Sequence, residues 1–113
     1  EDIAVNYLIS KGYRILERNW RSGHKELDIV AEFGPELVVV EVKTRRNNDF
    51  GNPEDAVNSR KIKRIVLATD AYLKFKQIDA NVRLDVVFLI RNLAVCDYRT
   101  DYGWERLRHS HQV

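Results

Sequence analysis

Residues 25–32 (KELDIVAE) and 37–44 (LVVVEVKT) are two runs of strand-forming residues separated by a short stretch centred on Gly34-Pro35. Apolar runs of this length on either side of a glycine-proline pair read as two antiparallel strands joined by a tight hairpin. A symmetric loop, whether Gly34-Pro35 alone or Phe33 to Glu36, fixes the register: Asp28 falls opposite Glu41, and Glu26 opposite Lys43. Because side chains alternate along a strand, the four charged residues are expected on one face of the sheet. Two facing carboxylates repel, and on a half-buried sheet each also carries a desolvation cost. The hairpin therefore asks for something positive between Asp28 and Glu41.

The rest of the chain supplies a frame for that hairpin. Ile3, Ala4, Tyr7 and Leu8 recur at helical spacing, and Lys11-Gly12 gives a basic last turn and a glycine stop. Tyr13 to Arg18 reads as a strand and Asn19 to Gly23 as a turn. Thr44 to Asn52 is a polar loop. Asn52-Pro53-Glu54-Asp55 has the cap, first-turn proline and acids of a helix start, and Val57, Ile62, Ile65, Val66, Ala68, Tyr72, Leu73 and Phe75 extend an apolar face to about residue 76. Leu84 to Ile90 is nearly all apolar, as in a strand covered on both faces, and Leu93 to Tyr98 is its expected partner. Strand, long helix and strand in succession imply a right-handed crossover that makes residues 37–44 and 84–90 parallel neighbours. The fold class is α/β, an αβββαβ core with a mixed central sheet flanked by helices.

At 113 residues the chain is read as a single domain over 1–113, with a core to about residue 98 and a C-terminal extension over 99–113. No apolar run approaches the roughly 20 residues that span a bilayer, so no membrane partner is expected. The lone Cys96 excludes an internal disulfide and a cysteine-rich metal site, which favours a cytoplasmic location. Glu1 lies in what reads as the middle of a helix, so further residues are expected upstream. Net charge is only +2, but its order is uneven. Five acids and no base fall in residues 26–41, whereas residues 43–64 hold seven bases against three acids. An acidic cluster followed by a basic stretch suits a site that holds a cation and a polyanion together; two solvated faces would leave the same pattern.

Two sources of positive charge fit the carboxylates. Lys43, two residues from Glu41 on the same strand face, would give a buried ion pair with Glu41 or Glu26. Such pairs are weak contributors to stability, so their presence asks for another reason. A divalent cation is the second: Mg²⁺ takes one or two carboxylates with water and phosphate oxygens, and no soft ligand is at hand. Two carboxylates, a lysine and a basic loop together describe a site for phosphodiester hydrolysis.

Asp28, twelve residues, then Glu41-Val42-Lys43 is similar to the D…(D/E)xK core of restriction-endonuclease-like nucleases. More specifically, "EDIAVNYLISKGYRILERNWR", "ELDIVAE", "LVVVEVKTR", "FGNPEDAV" and "RLDVV" resemble the YraN-type family of small uncharacterised bacterial proteins over residues 1–90. That resemblance implies a restriction-endonuclease-like αβββαβ core, akin to archaeal Holliday-junction resolvases. It also implies Asp28 and Glu41 as metal carboxylates, the Val42 carbonyl as a further ligand, and Lys43 as the residue that orients or deprotonates the attacking water. Glu1 matches the family's acid in the first helix, which can reach the metal shell or be a solvated helix-start acid. Glu26 matches the acid two before the aspartate and would pair Lys43 or a basic neighbour. His24-Lys25 depart from a more familiar glycine in the preceding turn.

Arg45, Arg46, Arg60, Lys61 and Arg64 are candidates for phosphate contacts, each alternatively a solvated base. Tyr7, Tyr13, Trp20 and Tyr72 read as core or rim aromatics, Cys96 as a small core residue, and His109 and His111 as part of a solvated tail. Asp85, inside an apolar strand, reads as structural, capping or pairing a base. The expected function is a Mg²⁺-dependent endonuclease on DNA, with Mn²⁺ as a substitute cation, branched DNA as the substrate suggested by architectural kinship, and a symmetric homodimer favoured by such a substrate. The alternative is a non-catalytic nucleic-acid- or protein-binding module that keeps the fold and cation site.

Overall fold

The computed structural model describes residues 2–45, 58–90 and 93–99. Within them the chain runs through α1 (Asp2–Ser10), β1 (Arg14–Ser22), β2 (Lys25–Phe33), β3 (Glu36–Arg45), α2 (Ser59–Lys76), β4 (Asn81–Ile90) and β5 (Leu93–Arg99). The strands form one sheet in the order β1-β2-β3-β4-β5, antiparallel at every step except the parallel β3–β4 pair. This is the expected αβββαβ order, closed by one more strand.

The helices cover opposite faces. Ile65, Val66, Ala68 and Tyr72 of α2 pack on Val30, Leu37, Val39, Val82, Leu84, Val86 and Phe88. Ala4, Val5 and Leu8 of α1 pack on Ile29, Ala31, Val38, Val40, Val87 and Leu89. Odd and even residues of β3 and β4 thus enter different cores. That is why the sequence of these strands shows an unbroken apolar run and no alternation. No described helix is long and apolar enough to cross a membrane.

The β2–β3 hairpin forms as the glycine-proline pair predicts. Phe33 pairs with Glu36, and the register continues to Ile29↔Val40. Gly34 has φ 59°; followed by a proline, whose ring holds φ negative, this is the type II′ pattern that suits the twist of two antiparallel strands. The crossover is also as expected, with β3 and β4 in parallel register from Glu36↔Asn81 to Arg45↔Ile90.

Two expectations need correction. The stretch Asn19–Gly23 is not a turn: β1 continues to Ser22, which pairs with Lys25 around a two-residue turn at Gly23-His24. The polar signal at Asn19 marks an irregularity inside the strand, where φ is +51°, a value asparagine tolerates better than most residues. The long helix does not run unbroken from Pro53. Asn58 is extended (φ −84°, ψ 173°) and its side chain accepts the Lys61 N–H at 2.9 Å, so the cap of α2 lies there. The Asn52-Pro53 start itself lies outside the described residues, as do Val57, His109 and His111.

One polar cluster is buried on the α1 side. Asp85, fully buried, receives Arg83 Nε at 2.9 Å on one oxygen, and Arg83 Nη2 at 3.1 Å and the Tyr13 hydroxyl at 3.0 Å on the other. Arg83 also donates to Glu36 at 3.0 Å, and its guanidinium lies near the rings of Tyr13 and Phe33. The reading of Asp85 as a structural partner of a base holds. With both oxygens occupied, the carboxylate belongs to the core.

Candidate functional site

Past Ile29↔Val40 the sheet forks. β3 continues beside β4 through Arg45, while the β2–β3 pairing stops. At the fork Asp28 Oδ2 accepts the Val42 N–H at 2.9 Å, so a carboxylate satisfies a backbone donor where the neighbouring strand no longer does. Trp20↔Leu27 and Arg18↔Ile29 are paired on β1, with Asn19 and Asp28 lying between them. Leu27 joins Val30 on the α2 side, whereas strict alternation would place it with Ile29. The strand irregularity and the fork therefore coincide at Asp28.

The expected pairing of Asp28 opposite Glu41 does not form, because the β2–β3 ladder ends one step earlier at Ile29↔Val40; the two carboxylates nevertheless meet on the α2 side, where both line a cavity with Lys61, Arg64 and Ile65. The cavity, of about 530 Å³, lies between the β1–β2 turn and α2. Its walls include His24, Lys25 and Glu26 on one side, and Lys61, Arg64, Ile65 and Leu67 on the other. The Glu41 side chain is 11% exposed and is met by two ammonium groups: Lys61 Nζ at 2.8 Å and Lys43 Nζ at 3.9 Å, both on Oε1. Burial pushes the Glu41 carboxyl above its usual range, and the negative charge of Asp28 adds to this; the hydrogen bond from Lys61 opposes both. That same bond raises the Lys61 ammonium above its ordinary value.

The donor set is two carboxylates. Among the described residues, histidine, cysteine, aspartate and glutamate form no group of three or more able to hold a metal. Two hard oxygen donors do not make the closed cage of a structural metal site, but they fit Mg²⁺, which keeps several waters and binds through one or two carboxylates plus phosphate oxygens. Asp28 Oδ1 accepts no hydrogen bond among the described residues, so the orientation fixed through Oδ2 leaves a donor atom available.

The other candidates divide clearly. Lys43 stands by Glu41 as expected. Glu26 is not opposite Lys43, because strand pairing has ended; it lines the cavity and meets Arg21, its register partner on β1, at 3.4 Å. The Val42 N–H orients Asp28, and the Val42 side chain packs on the α1-side core. Lys61, expected at a phosphate, instead holds Glu41. Arg60 and Arg64 are exposed on the first turns of α2, and Arg64 lines the cavity. Arg45 ends β3; Glu1 and Arg46 lie outside the described residues. Sequence reasoning missed the Lys61–Glu41 contact and the part of the Gly23-His24-Lys25 turn in the cavity wall. Moving the helix cap from Asn52 to Asn58 would have placed Lys61 in the first turn, but no local pattern specifies what that turn faces.

Over most of its length the chain is similar to known proteins. The model of the "Uncharacterised protein family UPF0102" matches residues 1–89. A UPF0102 protein of Phocaeicola vulgatus is 58% identical over 90 residues, covering 80% of this chain and 74% of the relative. A second, from Bacteroides thetaiotaomicron, is also 58% identical with the same coverage. A UPF0102 protein of Christiangramia forsetii is 43% identical over 94 residues, covering 83% and 79%.

Proposed function

The chain belongs to the uncharacterised protein family UPF0102, and we propose that its members of this form are metal-dependent nucleases hydrolysing phosphodiester bonds in DNA, with branched DNA as the first substrate to try. The observation that carries this reading is the meeting of Asp28 and Glu41 beside a fork in the sheet, on the wall of a cavity that also holds basic residues of α2, with the Lys43 ammonium 3.9 Å from Glu41. The likeness of Asp28 and Glu41-Val42-Lys43 to the core of restriction-endonuclease-like nucleases supports it, as does the αβββαβ order.

In this reading Asp28 and Glu41 hold Mg²⁺, with Mn²⁺ as substitute. When bound, the cation supplies Lewis-acid stabilisation of a phosphoryl oxygen and a more acidic water. Val42 keeps Asp28 aimed through its N–H. Lys43 orients the attacking water and faces the negative charge that develops on the phosphoryl oxygens. Arg60 and Arg64 contact backbone phosphates, which fix position without reading sequence.

Purified protein incubated with linear, single-stranded and four-way-junction DNA, in Mg²⁺ or Mn²⁺ and in chelator, tests the reading. Cleavage is expected only with cation, and Glu41→Ala or Lys43→Ala should lower it by about a hundredfold or more, the scale of losing a charge-stabilising group. Cleavage that survives in both variants or in chelator would rule out this site. Cation-dependent binding with no cleavage of any substrate would favour a binding module on the same fold.

A further inference from the structure

Glu41 Oε1 accepts the Lys61 ammonium at 2.8 Å while Lys43 approaches to 3.9 Å. A cation on that carboxylate would add a third positive group at an oxygen already in a close ion pair, in a setting far less screened than water. Lys61 is the group built to yield. Its backbone is held where Asn58 caps the first turn of α2, while its side chain, paired with Glu41, is 33% exposed at the cavity wall. Its flexible four-carbon stem carries a compact charge with rotatable donors. One turn along, Arg64 lines the same cavity and has no acidic partner among the described residues.

Resting on the two-carboxylate metal reading, we propose that Lys61 is a positioning residue with two stations: counter-ion of Glu41 before a divalent cation arrives, and phosphate contact beside Arg64 after it. Metal binding and phosphate binding are then coupled. Lys61, displaced from Glu41 by a cation, would be free to hold a phosphate, and Lys61 held by a phosphate would leave Glu41 open to the cation. Reciprocity of this kind is a thermodynamic requirement once one group serves both sites. Burying Glu41 without a counter-ion would be costly, so the resident lysine also keeps the metal-free site folded.

The test follows the lysine ammonium groups by ¹⁵N NMR during a Mg²⁺ titration of the full chain, with Mg²⁺ affinity measured by calorimetry for wild type, Lys61→Gln, Glu41→Gln and Lys63→Gln. Lys63 is exposed on the same helix and controls for the loss of one charge. The Lys61 ammonium signal should shift and exchange faster with water as Mg²⁺ saturates. Lys61→Gln should bind Mg²⁺ about fivefold more tightly than Lys63→Gln, the scale of removing one close like charge. With Ca²⁺ as a non-cleaving cation, Lys61→Gln should bind a fluorescent DNA strand several-fold more weakly than Lys63→Gln, and the two should bind it equally in chelator. A Lys61 signal unmoved at saturation, or equal Mg²⁺ affinity for Lys61→Gln and Lys63→Gln, would overturn the proposal while leaving the metal site standing. Wild-type Mg²⁺ affinity in Glu41→Gln would overturn the metal reading itself.

Discussion

Burial disfavours the ionised form of Glu41, and the nearby lysines do not fully offset it, so the folded protein holds a proton there more tightly than the unfolded chain does. A carboxyl raised in this way costs stability above its folded value, and that cost disappears as pH falls below its unfolded value. Glu41→Gln should therefore match or exceed the wild-type Tm at pH 8, with the gap closing as pH is lowered through the acid range; thermal unfolding of both proteins across that range measures it. A lower Tm for Glu41→Gln at pH 8 would mean that the Lys61 pair outweighs burial. Asp28 differs because its carboxylate accepts the Val42 N–H. Asp28→Ala should destabilise by about 1–3 kcal/mol, the cost of orphaning a backbone donor, as read from urea unfolding. One residue of the site thus strains against the fold while the other supports it.

At the scale of elements, α2 connects core to site. Its buried stripe seats it on the sheet, and its first two turns carry Lys61 and Arg64 to the cavity. Asn58→Ala should cost about 1 kcal/mol, the usual value of such a cap; urea unfolding should show a lower midpoint with unchanged slope, and Asn58→Asp should restore it. The β1–β2 hairpin supplies the facing wall of the cavity, and Asn19, at φ +51°, is its irregular position. The polar run Asn19–Gly23 was legible as an interruption but not as its type, because asparagine takes a positive φ inside a strand as readily as in a turn, and here the register of β1 with β2 is the same on either side of Asn19. The two asparagine-led helix starts raise the same ambiguity: Asn52 and Asn58 are both competent caps, and only packing of the stripe from Ile62 onward selects the second for α2.

For the whole molecule, a cation that binds only the folded state must stabilise it. Mg²⁺ at ten times its dissociation constant should add about 1.4 kcal/mol, or roughly 5 °C in Tm for a chain of this size. Glu41→Gln should lose most of that increment, and differential scanning fluorimetry with and without Mg²⁺ compares the two. The same cation should not rescue Asn58→Ala selectively, because that cap lies outside the carboxylate pair.

Legible in the sequence were the hairpin, its register as far as Ile29↔Val40, and the parallel crossover. Each rests on local rules: turn chemistry, the two-residue period of a strand, and the length and apolar character of neighbouring elements. The sequence also marked Asp85 as structural, since an acid inside a doubly covered strand must find partners there. Which charges meet depends on how the elements pack. The end of β2–β3 pairing at Asp28 separated Glu26 from Lys43, and the seating of α2 placed Lys61, twenty residues after Glu41, on the same carboxylate oxygen. No periodicity records such a contact, because it depends on where a helix lies across a forked sheet and on how far a flexible side chain can reach.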